Sequence, residues 1–196
     1  MSVTVLTHPV TLLLLVGVAL GLLLLGLRPR VFSASLQRPV GTAALLARAL
    51  WQQRLQAELS RSGRYGSTLS VMLLDIDHFR RINDCHGRRT GDGVIEAVAL
   101  WLHERLRDSD CLGEYREGAF AILLPETSQL QAEHLGQRLQ QSLAGESVVP
   151  GEFGDITLSI GIASSSGGVP DMPVLLAGAE AALDRAKSQG RNRVCT

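Results

Sequence analysis

Apolar positions along this chain fall into stretches of distinct period. Leu69 to Leu74 is a short, nearly unbroken apolar run that reads as a buried strand and delivers Asp75 and Asp77 at its C-terminal end. Gly91 to Arg107 carries Val94, Ile95, Val98, Leu102 and Leu106 at helical spacing. Ala43 to Leu59 places Leu46, Leu50, Leu55 and Leu59 in a second helix, with Thr42 where an N-cap would help. Ser128 to Leu143 and Met172 to Lys187 read as further amphipathic helices, and Ile156 to Ala163 as a strand. Leu112 to Tyr115 and Phe120 to Leu124 read as hairpin strands, and Ser62 to Ser67 as a turn. Strands alternating with helices, plus one hairpin, predict an α+β domain over residues 42–196: a mixed sheet with helices on its faces. No internal repeat or low-complexity tract interrupts it.

The N-terminal pattern is different. From Val10 to Leu27 there is no charge and leucine dominates. At about 1.5 Å per residue this run spans about 27 Å, close to the roughly 30 Å hydrocarbon core of a bilayer. Ser33-Ala34-Ser35 resembles a signal cleavage site, but no Lys or Arg precedes the run, and it is longer than a signal core. Arg28, Arg30 and Arg38 follow it, which by the positive-inside rule places the C-terminal side in the cytoplasm. The expectation is a single transmembrane helix at 10–27, a connector at 28–41 and a cytoplasmic domain on a bacterial inner membrane.

Charge and cysteine content narrow the function classes. Nineteen basic residues balance nineteen acidic ones, so no basic excess points to nucleic acid. The three cysteines, Cys85, Cys111 and Cys195, show no paired metal spacing and read as reduced, small apolar fillers.

Four segments carry a family resemblance. Asp75-Ile76-Asp77-His78-Phe79-Arg80-Arg81-Ile82-Asn83-Asp84 resembles D-x-D-x-F-K-x-x-N-D, followed by Gly87 to Asp92 where G-H-x-x-G-D is found. Thr157 to Ala163 resembles a T-x-S-x-G strand, and Ala182 to Asn192 resembles A-L-Y-x-A-K-x-x-G-R-N. Glu114 to Pro125 resembles the R-Y-G-G-D/E-E-F turn with its apolar strand and Leu-Pro ending. Order and spacing agree with the GGDEF, or diguanylate cyclase, family from about Thr42 to the end. An N-terminal D-x-L-T-G-L-x-N-R-R segment is eroded, matching only at Thr42 and Arg48.

That resemblance implies a specific chemistry and a specific loss. Making cyclic di-GMP from two GTP molecules needs divalent cations held by carboxylates. The resemblance assigns those ligands to Asp75 and to the position here held by Gly118, with Ala119 at the adjacent acidic position. Asp75 is therefore expected to be a vestigial metal ligand, and magnesium a poor fit. Arg116 and Glu117 stand at the two glycine positions, where long side chains and the Glu117 charge oppose phosphate. A one-residue slip reverses side-chain direction along a strand, so Glu117 is not expected to replace the lost ligand. Asn83 and Asp92 match guanine-reading positions, and Arg80, Lys187 and Arg191 match phosphate-contacting cations. Alternatively, Asp92 caps a helix and the others are solvated charges.

Arg107-Asp108-Ser109-Asp110 stands five residues, Cys111 to Tyr115, ahead of Arg116. In the family an R-x-x-D at this place is the inhibitory site for the product. Arg107 and Asp110 can read the edges of guanine, and Arg138 matches a second arginine reaching the same ligand. A structural Arg107–Asp110 ion pair is the plain alternative. The expectation is a membrane-anchored, catalytically inactive receptor of cyclic di-GMP with no catalytic residues and no cofactor. It would signal to a protein partner, or dimerise with another GGDEF-type protein. A pure interaction module and a residual cyclase are the competing readings.

Overall fold

The computed structural model describes residues 45–146, 148, 156–165 and 171–196. The apolar run at 10–27, the connector at 28–41 and Thr42 lie outside them. Among the described residues no helix is long and apolar enough to cross a membrane. The elements are α1 (Arg48–Tyr65), β1 (Leu69–Ile76), α2 (Phe79–His86), α3 (Arg88–Arg105), β2 (Cys111–Arg116), β3 (Ala119–Pro125), α4 (Gln129–Gly145), β4 (Leu158–Ser165), α5 (Met172–Ser188) and β5 (Val194–Cys195).

The sheet has the order β2-β3-β1-β4-β5, antiparallel except for the parallel β4–β5 pair. β1 is central and buried on both faces, which is why it reads as a continuous apolar run. Its side chains alternate between two cores. Met72, Leu74 and Ile76 pack with α3 and α4 through Val98, Leu102 and Leu139. Val71 and Leu73 pack with α1 and α5 through Trp51, Leu55, Ala179 and Leu183. Period-two alternation sends Asp75 toward the α1/α5 side. Gly161 in β4 lets α5 lie directly on the sheet, since a Cβ there would meet the Leu183 backbone nitrogen at 2.2 Å.

Three boundaries differ from the sequence reading. Leu46 is extended, not helical: its N–H donates to Leu112 O (3.0 Å) and its carbonyl accepts from Glu114 N (2.8 Å). α1 therefore starts at Arg48 and has no side-chain cap at Ala47. It also continues through the expected turn to Tyr65, because only Gly66, at φ 66°, takes the left-handed conformation that stops it. α2 was not anticipated, and α3 begins at Arg88. α4 starts as expected at a capping box, in which Gln131 N donates to Ser128 Oγ and Ser128 N donates to Gln131 Oε1.

Candidate functional site

The end of β1, the turn between β2 and β3, α2 and the last turn of α5 surround a cavity of about 660 Å³. Asp75 lies on its wall, and its carboxylate is already occupied. Oδ2 receives Lys187 Nζ at 2.7 Å and Arg116 Nη2 at 3.2 Å. α5 brings Lys187 there because its final turn lies over the same sheet face. Arg116 is the last residue of β2, and its guanidinium lies 6.0 Å from the centre of the Tyr115 ring, with Arg48 at 5.2 Å. The Tyr115 phenol donates to the Glu180 carboxylate. Burial, and then that carboxylate, push its pKa up to about 12.

Arg116 and Glu117 stand at the two positions that open the turn. Arg116 pairs with Ala119, leaving Glu117 and Gly118 at the tip, and Gly118 alone there takes positive φ, at 73°. A Cβ at Gly118 would lie 2.6 Å from the Phe79 ring. Glu117 is a tip residue, outside the strands, so strand alternation does not direct its side chain away. It lines the cavity and accepts from Asn83 Nδ2 at 3.2 Å. Glu117 thus lines the same cavity as Asp75.

These residues do not fit a divalent cation. Asp75 is shared by two protein cations, and neither Gly118 nor Ala119 supplies an oxygen-bearing side chain. Among the described residues no three His, Cys, Asp or Glu side chains converge as a metal site.

Of the other anticipated nucleotide contacts, Arg80, Asn83, Lys187 and Arg191 line this cavity. Asp92 does not. α3 starts at Arg88 and buries Gly91 and Val94, while Asp92 is exposed; as the fifth residue of the helix it does not cap it. His78, Arg81, Asp84 and Arg88 also line it and were missed, because α2 was not legible as a helix. Asp77 was missed as a structural centre. Its buried carboxylate accepts from Thr157 Oγ1 (2.7 Å), Ser159 Oγ (2.6 Å) and Asn192 N (3.0 Å). The hydroxyls two apart, Thr157 just ahead of β4 and Ser159 within it, were the available signal.

A second cavity of about 360 Å³ brings Arg107, Asp110 and Arg138 together, with Gln131, His134 and Leu135 of α4 on its wall. Asp110 does not pair with the Arg107 guanidinium. Its Oδ2 accepts instead from Arg107 N at 3.0 Å, and Asp110 N donates to Arg107 O at 3.0 Å, closing a tight turn. Among the described residues the exposed Arg107 guanidinium forms no ion pair.

The fold has counterparts. Residues 42–193 match the family model "Diguanylate cyclase, GGDEF domain". Diguanylate cyclase DgcP of Pseudomonas aeruginosa is 38% identical over 148 residues, 75% of this chain and 22% of the relative. Diguanylate cyclase DosC of Escherichia coli is 33% identical over 151 residues, 76% of this chain and 33% of the relative. The chain thus spans a fifth to a third of the length of these relatives. Among solved structures, the GGDEF domain of DgcB from Caulobacter crescentus, in complex with c-di-GMP, superposes with TM-score 0.72 at 26% identity, over 77% of this chain and 90% of that one. The active GGEEF domain of a Vibrio cholerae diguanylate cyclase gives 0.71 at 30% identity, over 78% and 96%. SiaD of Pseudomonas aeruginosa, in complex with its activator SiaC, gives 0.73 at 28%, over 94% and 70%. With the family model matching residues 42–193 and relatives aligned over about three quarters of the chain, the chain belongs to the GGDEF family of diguanylate cyclase domains.

Proposed function

We propose that this chain is a membrane-anchored, catalytically silent member of its family that binds cyclic di-GMP between Arg107, Asp110 and Arg138 and passes the signal to a protein partner. The observation that carries the reading is the second cavity. Three residues able to read guanine line it, and the Arg107 guanidinium is not consumed by an internal ion pair. An Arg can donate two hydrogen bonds to guanine O6 and N7, while an Asp can accept from its N–H edge. Loss of turnover follows from the first cavity, where Asp75 is taken by Lys187 and Arg116 and the turn offers no second ligand. Two solved relatives give context: DgcB carries c-di-GMP, and SiaD binds a protein activator. The anchor is the apolar run at 10–27, with Arg28 and Arg30 holding the domain at the cytoplasmic face of a bacterial inner membrane. A periplasmic readout from a reporter fused after Thr196 would reverse that orientation.

Calorimetry of the chain with cyclic di-GMP tests the receptor. Arg107→Ala removes contacts worth about 1–3 kcal/mol, a loss of roughly 5- to 150-fold in affinity, with an unchanged melting temperature. Asp110→Ala weakens binding too, but it also opens the turn and lowers the melting temperature. Arg138→Ala costs less if Arg138 only closes over the ligand. Unchanged affinity in Arg107→Ala sinks the receptor and leaves a non-binding interaction module. Chromatographic detection of cyclic di-GMP made from GTP, abolished by Asp75→Ala, sinks the silent-enzyme half.

A further inference from the structure

Arg105, the last residue of α3, lines the second cavity beside Arg107 and Asp110. Its guanidinium lies over the Trp101 indole, with Cζ 4.2 Å from the ring centre. Nη2 donates to Glu146 Oε2 at 2.6 Å, and Nη1 donates to the Trp101 carbonyl at 3.1 Å. The same Glu146 oxygen accepts from Trp101 Nε1 at 2.8 Å, so one carboxylate fixes both the ring and the plane stacked on it. Trp101 is 5% exposed and packed in the core, which leaves the indole no room to withdraw. Among the described residues Arg105 is on the cavity wall and Trp101 is not, so the indole lies behind the guanidinium. No Phe, Tyr or Trp among them lines this cavity, and a flat base entering it needs another plane to lie on.

We propose that Arg105 is a stacking platform for a guanine base of the ligand, its plane set by Trp101 beneath it and by Glu146 at its edge. The proposal rests on the reading of this cavity as a cyclic di-GMP site and adds to it a residue outside the Arg107 and Asp110 pair. A guanidinium plane stacks on a base as it does on an aromatic side chain, and its charge attracts the π-electrons. Arg107 and Asp110 read guanine along its edge, which leaves the face of the base to be covered. Because Arg105 is already held in the folded protein, closing on a base costs it little rotamer entropy. Glu146 touches no ligand and acts through Arg105, as a positioning residue.

The test titrates the full chain in detergent with cyclic di-GMP, by calorimetry and by tryptophan emission in parallel. Arg105→Ala weakens binding roughly 3- to 30-fold, the range of a lost cation–π contact. Arg105→Lys weakens it nearly as much, because an ammonium keeps the charge and the pairing with Glu146 but presents no plane. Glu146→Ala weakens binding less than Arg105→Ala does. Glu146→Gln restores it, since the amide oxygen still accepts from the indole and the guanidinium. Saturating ligand changes the emission of the parent through Trp101, while Trp51 lies in the core on the opposite face of the sheet. In Arg105→Ala that change is lost even at saturation. Full affinity in Arg105→Ala or Arg105→Lys, with Arg107→Ala still weakened, overturns the platform and leaves the receptor standing. A lower melting temperature at unchanged affinity makes Arg105 a mere tie between α3 and Glu146 and overturns it equally. No binding by the parent overturns both readings.

Discussion

Putting a carboxylate back at Gly118 should damage the fold before it restores any chemistry. Gly118 holds φ at 73°, and a Cβ there would meet Phe79 Cδ1 at 2.6 Å and Cγ at 2.7 Å. The left-handed backbone costs a residue with a Cβ about 1–2 kcal/mol. Forcing a carbon against a packed ring adds about 1–3 kcal/mol of overpacking. Phe79 is buried in the core below α2, so its ring has little room to yield. The sum, roughly 2–5 kcal/mol, corresponds to a melting temperature lower by roughly 4–20 °C for a domain of this size. Gly118→Ala should show nearly the whole loss, because the Cβ and not the carboxylate creates it. Gly118→Asp should melt close to Gly118→Ala and show no magnesium-dependent turnover of GTP. Thermal unfolding followed by circular dichroism measures the first point, and chromatography of reaction mixtures the second. Phe79→Leu in the same background should return part of the loss, a coupling that a double-mutant cycle reads directly. A Gly118→Ala protein melting within about one degree of the parent would refute the steric argument, because one degree is well under 1 kcal/mol.

Two further outcomes follow from the neighbouring groups. Asp77→Ala strands two hydroxyls and the Asn192 N–H around a buried hole, so urea unfolding should show a loss of about 2–4 kcal/mol, with Asp77→Asn losing less. Tyr115 keeps its proton in the folded state up to about pH 12, whereas an unfolded tyrosine releases it near 10.0. The native state therefore binds the extra proton between those values, and stability falls as pH rises through that window. A spectroscopic phenol titration should place one tyrosine near 12, and Tyr115→Phe should remove that part of the alkaline slope. A Tyr115 titrating near 10.0 contradicts the buried contact with Glu180.

Much of the architecture was written in local patterns. Leu69 to Leu74 read as a buried strand, and the amphipathic spacing from Ser128 to Leu143 placed α4. Helix spacing in Val94, Val98 and Leu102 placed α3, although its first turn was lost because Arg88 to Thr90 carries no apolar mark. The same blindness hid α2, where only Phe79 is buried among eight residues. α1 overran its expected end because nothing from Ser60 to Tyr65 forbids a helix; the sequence shows the stop only at Gly66. Where a boundary depends on a special φ or a cap, the residue itself announces it. Where it depends on a strand pairing with Leu46, the partner lies far along the chain.

The chemistry divides along the same line. The sequence alone determined that the turn bears no carboxylate at Gly118 and Ala119, because composition at a position needs no geometry to read. It also determined that an Arg and an Asp stand three apart ahead of that turn. Only the tertiary structure decided where the charges went. Arg116 reaches Asp75 across 41 positions, Lys187 arrives on it from the last helix, Glu117 turns to Asn83, and Asp92 is left exposed. Periodicity reports how one segment meets the core, since burial of its own face fixes it. The partner of a charged side chain depends on which elements the sheet order brings side by side and on how much water remains between them, and no local spacing carries that.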